Sequence, residues 1–181
     1  MRTGRKPLMR NLDCRTKRGK ERIAAESEAR NILAKKFDIE IAKPKDDSSE
    51  DDGFIYKNGK LIGVCEIKTR VFYNSRIKSP FTLNRFKEDK DGYLISYNKI
   101  EQLKKQTLLN QIHSYIFVNI PHDKVIVKIH LLNEKGEFHV SHSIDHRKTR
   151  KTINNKDFKL CKVALIPYEG NKDHIEIIKY G

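Results

Sequence analysis

The stretch 53-GFIYKNGKLIGVCEIK-68 decides the fold, because it contains two strand-forming runs on either side of a turn. GFIYK and KLIGVCEIK are rich in β-branched and aromatic residues, which favour strands. The Asn58-Gly59 pair between them is the strongest short-range signal for a two-residue hairpin. The stretch therefore predicts an antiparallel β-hairpin.

The segments around this hairpin predict further helices and strands. Good helix formers predict a helix over about 20–37, and the strand DIEIAK follows it. A long charged insertion over 69–92 separates the hairpin from the second half of the chain. Apolar and β-branched runs then predict four more strands, SYIFVNI, KVIVKIHLL, VALIPY and HIEIIKY. The order predicts an α/β domain of the α+β sort, with a mixed central sheet flanked by helices.

A second helix is predicted over about 99–111, between the insertion and the strand SYIFVNI. Asn98 and Glu101 have the spacing of a capping box, which predicts where this helix begins. Its inward face is predicted to contain Ile100, Leu103 and Thr107.

The length of 181 residues fits one domain. Residues 1–19 are basic without a clear period, so we predict an N-terminal arm followed by a single domain over 20–181. The core of that domain is expected at about 20–120, and 121–181 is expected to form a C-terminal extension with extra strands. No apolar run approaches the ~18 residues of a membrane span, so no membrane association is expected.

Charge and cysteine content narrow the class of protein. A net charge of +14 attracts polyanions, which favours a nucleic-acid partner. Three widely spaced cysteines without a CxxC pair predict neither a disulfide framework nor a zinc–thiolate site. With no apolar secretion signal at the basic N-terminus, we expect a cytoplasmic protein.

Glu66, Lys68 and Asp52 form the candidate catalytic group. Alternation along the strand places Glu66 and Lys68 on one face and turns Ile67 into the core. Asp52 leads into the partner strand, so the hairpin is expected to carry its carboxylate towards Glu66. Two carboxylates suit Mg²⁺ or Mn²⁺, which prefer oxygen ligands. Such a metal would polarise a scissile phosphate, and Lys68 would orient or deprotonate the attacking water.

Asp52 and the triplet Glu66-Ile67-Lys68 resemble the motif of the PD-(D/E)xK nuclease superfamily, which includes restriction enzymes, Holliday junction resolvases and some homing endonucleases. The resemblance implies a core of a helix, a three-stranded antiparallel meander, a helix and a further strand. The proline of the motif is absent, because position 51 is Asp51. Either Asp51 or Asp52 is then the metal ligand, and Asp52 is preferred because Gly53 and the strand follow it directly.

The resemblance also implies two further metal contacts. Many relatives have an acidic residue on the first helix, followed at fixed spacing by a small residue and a leucine, and Glu26, Ala29 and Leu33 match that spacing. Glu28 is the alternative to Glu26. The backbone carbonyl of Ile67 is expected to complete the metal shell.

Basic residues cluster in three places that are candidate nucleic-acid contacts. These are the arm with Lys17, Arg18 and Lys20, the insertion with Arg70, Arg76 and Lys78, and a loop with Arg147, Lys148, Arg150 and Lys151.

Two other nuclease patterns are weaker. Gln111 and Tyr115 have the spacing of an exonuclease motif, but the predicted helix ends between them. His139, His142 and His146 faintly resemble an HNH nuclease or a zinc site.

The sequence therefore predicts a Mg²⁺-dependent, site-specific DNA endonuclease of the homing or restriction type. Cleavage of both strands favours a homodimer or a higher assembly. A Holliday junction resolvase and a non-catalytic nucleic-acid-binding protein are the alternatives.

Overall fold

The computed structural model describes residues 17–43, 53–74, 79–90, 92–148 and 160–181. Within these residues the α-helices are α1 (Lys17–Phe37), α2 (Leu83–Glu88) and α3 (Tyr97–Asn110). The strands are β1 (Glu40–Ala42), β2 (Gly53–Lys57), β3 (Lys60–Thr69), β4 (Phe72–Asn74), β5 (Ser79–Pro80), β6 (Tyr93–Ser96), β7 (His113–Ile120), β8 (Val125–Leu132), β9 (Ser143–Lys148), β10 (Leu160–Ile166) and β11 (Ile175–Lys179). The fold is thus mixed α/β, as predicted.

The hairpin of β2 and β3 is confirmed. The strands pair antiparallel, from Gly53 opposite Cys65 to Lys57 opposite Lys60. Asn58 and Gly59 join them with φ of 51° and 73°, the left-handed geometry that a tight hairpin turn requires. The turn sets the pairing next to it, and a register shift between Ile55 and Tyr56 then sets which residues of β2 lie opposite Val64 and Cys65.

A central sheet of six strands has the order β1-β2-β3-β7-β8-β11. Its neighbours pair antiparallel except β3 and β7, which are parallel, with Lys68 opposite Val118. Parallel neighbours need a crossover connection, and α3 lies in it. The chain between β3 and β7 must therefore return across the sheet, which brings α3 over β3.

Helices cover both faces of the central sheet. On one face, Ala29 and Leu33 of α1 are fully buried against Ile67. On the other face, Ile100 and Leu103 of α3 pack in the larger core. Thr107 is buried as well, so the predicted inward face of α3 is confirmed.

A second sheet extends the larger core, with the order β6-β10-β9. Ala164 and Ile166 of β10 pack against the same cluster as Ile100. The C-terminal strands thus divide between the sheets, since β11 pairs with β8 and β10 pairs with β6.

The insertion after β3 is more ordered than a loop. It contains β4, β5 and α2, and Phe86 of α2 is buried. The side chain of Thr82 caps α2 by accepting a hydrogen bond from the Arg85 amide, and Asp123 accepts one from the Leu83 amide. The insertion is therefore attached to the turn between β7 and β8.

Two predicted helix starts were wrong. α1 begins at Lys17, so the last residues assigned to the arm belong to this helix. α3 begins at Tyr97 with Ser96 at its N-cap, so Asn98 lies inside the helix and forms no capping box. The physical reason is that β6 pairs with β10 through Ser96, and the helix begins where that pairing ends.

None of the helices in the described part of the chain is long and apolar enough to cross a membrane.

Gly92 should tolerate no side chain, because an added Cβ would overlap the Ile166 carbonyl and because its φ of 74° is left-handed. We expect Gly92→Ala to reduce the free energy of unfolding by about 2–5 kcal/mol. Gly59→Ala is the matched control, since Gly59 has a similar φ but meets nothing within 4 Å. It should cost about 1–2 kcal/mol. Urea denaturation followed by circular dichroism measures both, and equal losses would contradict the close approach.

Candidate active site

Glu66 and Lys68 lie together near the end of β3. The Glu66 side chain is only 2% exposed, and its Oε1 atom lies 2.7 Å from Lys68 Nζ. Ile67 is fully buried in the core beneath α1, as strand alternation predicts. A buried carboxylate beside an ammonium group is thus built into the central sheet.

The first helix brings a second carboxylate to this pair. Oε1 of Glu26 lies 3.9 Å from Lys68 Nζ, and the side chain is partly buried. Glu28 is exposed. Burial raises the pKa of Tyr180, and the charge of Glu28 raises it further, so Glu28 lies near Tyr180. The geometry therefore favours Glu26 over Glu28.

Lys99 is the site residue that the sequence did not reveal. It lies in the first turn of α3, and its Nζ atom is 2.8 Å from Glu66 Oε2. In the sequence Lys99 is one lysine of a charged helix, where a solvent-exposed side chain is the usual outcome. Only the crossover of α3 over β3 brings it to the buried carboxylate, so the pairing of β3 with β7 was the missing information.

Of the other predicted metal contacts, only Ile67 lies among the described residues. Asp51 and Asp52 lie outside the described residues, next to Gly53, which pairs with Cys65. Ile67 lies in the parallel ladder opposite Phe117. The described part of the group is thus Glu26, Glu66, Ile67, Lys68 and Lys99.

A cleft of about 590 Å³ is lined by basic and aromatic residues, and one of them is Arg70, two residues after Lys68. Among the residues that line it are Arg70, Phe72, Tyr93, Arg147 and Lys148. The Arg70 guanidinium lies 5.5 Å from the centre of the Tyr93 ring. Burial raises the pKa of Tyr93. The charges of Arg70 and Lys68 lower it, and the charge of Glu66 raises it. The cleft therefore opens beside the carboxylate group.

Comparison with known protein families, curated proteins and solved structures found no match.

The predicted nucleic-acid contacts are only partly brought together. Arg70, Arg147 and Lys148 share the cleft. Lys20 is exposed on α1, and Lys17 and Arg18 belong to the same helix. The remaining predicted contacts lie outside the described residues: Arg76, Lys78, Arg150 and Lys151.

A histidine cluster lies where β7 begins and β8 ends. One ring nitrogen from each of His113, His130 and His139 lies within 4.8 Å of the other two. Nε2 of His130 is 3.0 Å from Nδ1 of His113. The ring of His174 lies 5.2 Å from that of His139, between ring centres.

This cluster replaces the grouping predicted from sequence. The ring of His142 packs against Phe138, and His146 is exposed on β9. Strand register brings His113 and His130 to His139, and this neighbourhood is not visible in their sequence spacing.

Burial lowers the pKa of two of the clustered histidines. It is the largest cause that lowers the pKa of His130 to about 4, followed by the electrostatic effects of the neighbouring His139 and His113. Burial also lowers the pKa of His139, followed by His174 and His113, against the opposing effect of Glu134. These two imidazoles are therefore neutral at pH 7.

Breaking the Lys99–Glu66 pair should destabilise the fold. Lys99→Met removes one of the two ammonium groups beside a buried carboxylate, so we expect a loss of about 1–3 kcal/mol in the free energy of unfolding. Lys105→Met, at an exposed position of α3, should change it by less than about 0.5 kcal/mol.

A double-mutant cycle isolates the pair. Glu66→Gln combined with Lys99→Met should lose less than the sum of the single losses, because removal of both charges leaves neither one unpaired. Strictly additive losses would show that the two groups do not interact.

Proposed function

We propose that this chain is a Mg²⁺-dependent DNA endonuclease of the PD-(D/E)xK type. The observation that carries the proposal is the buried carboxylate of Glu66, which lies 2.7 Å from Lys68 near the end of a central strand. Buried charges are costly and concentrate at functional sites. Glu26 from α1 adds the second acidic group that such a nuclease needs.

The order of the elements supports the proposal. α1 precedes the antiparallel strands β1, β2 and β3, and α3 precedes β7, which is parallel to β3. This is the order of helix, meander, helix and strand that the resemblance implies. The acidic residues and Lys68 lie on the elements that the resemblance implies, since Glu26 is on the first helix and the triplet Glu66-Ile67-Lys68 is on the third strand of the meander.

The donor atoms fit a hard divalent cation. The carboxylates of Glu26 and Glu66 both approach Lys68, and oxygen ligands are those that Mg²⁺ and Mn²⁺ prefer. We assign the metal to Glu66 and Glu26, together with Asp52 and the carbonyl of Ile67. Gly53, which follows Asp52 in the sequence, pairs with Cys65, the residue before Glu66. When bound, Mg²⁺ would polarise the scissile phosphate and lower the pKa of the attacking water.

The residues of the chain supply the remaining functions. Lys68 is 30% exposed and thus open to solvent, so its ammonium group can orient the attacking water and stabilise the hydroxide formed from it. Lys99 compensates the charge of Glu66 from the side of α3. Arg70 is placed to hold the phosphate next to the cut, and Phe72 offers an exposed ring to a base.

The cleft and the insertion beside it favour a duplex substrate over a small molecule. Arg147 and Lys148 line the same cleft as Arg70, as expected for a surface that follows a phosphate backbone. The insertion with β4, β5 and α2 forms the wall from which base contacts would come. We therefore propose site-specific recognition of duplex DNA, with a homodimer providing one active site for each strand.

Lys68→Ala tests the chemistry. Incubated with plasmid, linear duplex and four-way-junction DNA, the variant should lose cleavage by about 10²–10⁴-fold in Mg²⁺ and retain DNA binding. Lys60→Ala, an exposed lysine at the other end of β3, is the matched control and should cleave normally. A chelator should abolish cleavage by both the wild-type chain and the control.

Three outcomes would revise the proposal. No cleavage of any substrate by the wild-type chain would leave a non-catalytic nucleic-acid-binding protein. Cleavage of the junction alone would identify a resolvase. Cleavage that survives in both Lys68→Ala and Glu66→Gln would place the active site elsewhere.

The cleft residues should set the salt dependence of binding. Measured in the Lys68→Ala background, Arg147→Ala with Lys148→Ala should weaken DNA affinity and reduce the slope of log affinity against log salt by about 1 per lost contact. Lys104→Ala with Lys105→Ala removes the same charge from exposed positions of α3. If both double variants changed the slope equally, net charge and not the cleft would bind the DNA.

A further inference from the structure

The histidine cluster joins three parts of the fold that are separate in sequence. His113 begins β7, His130 lies near the end of β8, and His139 lies in the loop that follows β8. We propose that these three imidazoles bind one divalent transition-metal ion of the Zn²⁺ class, at a site separate from the carboxylate group. Imidazole nitrogen selects Zn²⁺, Co²⁺, Ni²⁺ or Cu²⁺, whereas Mg²⁺ prefers oxygen.

The spacing of the nitrogens is close to what such an ion requires. With metal–nitrogen bonds of about 2.0–2.1 Å, the nitrogens of a tetrahedral site lie about 3.3 Å apart. The facing atoms Nδ1 of His113 and Nε2 of His130 are 3.0 Å apart. One ring nitrogen from each of the three histidines lies within 4.8 Å of the other two, a distance that side-chain rotation can close.

A buried polar atom of His139 also supports a metal site. Among the described residues, Nε2 of His139 is shielded from solvent and has no hydrogen-bond partner. A buried polar group without a partner costs free energy, so its retention calls for an explanation such as a bound ion. A neutral imidazole beside two others is suited to ligation, because the neutral ring is the form that binds a metal.

Glu134 provides the support that metal-binding histidines usually have. Its Oε2 atom lies 3.5 Å from Nε2 of His113, the ring nitrogen that faces away from His130. A carboxylate on that nitrogen fixes the tautomer and leaves Nδ1 free of a proton, ready for the metal. Glu134 is therefore a positioning residue, and the remaining coordination position is open to water or to His174.

The surrounding loop is held in place by its own hydrogen bonds. The His139 amide donates to the Leu131 carbonyl over 3.0 Å. Asn171, which is buried, accepts from the Ser141 amide over 2.7 Å and donates to the Ser141 carbonyl over 2.9 Å. Asn133 accepts from the amides of Lys135 and Glu137 within the same loop. The ligands are thus positioned by the backbone, and a metal would tie β7, β8 and the loop together.

The position of the cluster separates it from the carboxylate group. His113 pairs with Gly63, whereas Lys68 pairs with Val118, five residues along the parallel ladder. At about 3.3 Å per residue, the two ends are about 16 Å apart. The proposal therefore does not rest on nuclease activity.

Zn²⁺ titration of the full chain, freed of any affinity tag, tests the site. Isothermal titration calorimetry without DNA should give one strong Zn²⁺ site that millimolar Mg²⁺ does not displace. Co²⁺ should give the visible absorption of a tetrahedral site. At a Zn²⁺ concentration of about 100 times Kd, the Tm should rise by about 5–10 °C.

Variants identify the ligands. His139→Asn changes a loop residue and should weaken Zn²⁺ binding more than 100-fold, as should His130→Asn. Glu134→Gln should weaken it by about 10–100-fold. His122→Ala, at an exposed position of the turn between β7 and β8, should bind as the wild-type chain does.

Two results would overturn the proposal. One is the absence of Zn²⁺ binding in a wild-type chain that is folded by circular dichroism. The other is equal Zn²⁺ affinity in the wild-type chain and in folded His139→Asn. Because His139→Asn leaves Glu66 and Lys68 unchanged, a failure of the Zn²⁺ proposal would say nothing about DNA cleavage.

Discussion

The burial of the Glu66 carboxylate is the constraint on which the account depends. A charged group that is 2% exposed loses most of its hydration, and it remains charged only if nearby groups of opposite charge replace that water. Lys68 and Lys99 do so at 2.7 Å and 2.8 Å, from the same strand and from the crossover helix. An apolar residue would fill the position without this cost, so the charge argues for a function and not for stability.

The parallel pairing of β3 and β7 gives the central sheet two chemically different ends. At the end of β3, carboxylates, ammonium groups and a basic cleft meet. At the start of β7, imidazoles face each other and the acidic residues lie in the adjoining loop. A hard cation and a transition metal would therefore not compete for one place, because ligand type separates them as well as distance.

Local signals predicted the parts of the fold that depend on neighbours in sequence. The Asn58-Gly59 turn, the alternation around Ile67 and the inward face of α3 follow from short-range geometry, and each was confirmed. The predicted start of α3 was wrong because it depends on the pairing of β6 with β10, which ends at Ser96.

Long-range pairing decided what the sequence could not show. Lys99 joins the site only because α3 crosses β3, and the histidines meet because β7 pairs with β8, with a register shift at Ser114 and Tyr115. The resemblance singled out Glu26 through its spacing to Ala29 and Leu33. Those two residues are buried, and the Glu26 carboxylate lies 3.9 Å from the Lys68 ammonium group. Asp52 lies outside the described residues and stays a prediction.

Paramagnetic broadening by Mn²⁺ tests the central claim most directly. In ¹⁵N-resolved spectra, substoichiometric Mn²⁺ should first broaden the backbone amides of Glu66, Ile67 and Lys68, and then that of Glu26. Glu66→Gln should remove the effect. Broadening that is absent from these amides, or that centres on His113 and His130 instead, would contradict the assignment of the hard-cation site to Glu66.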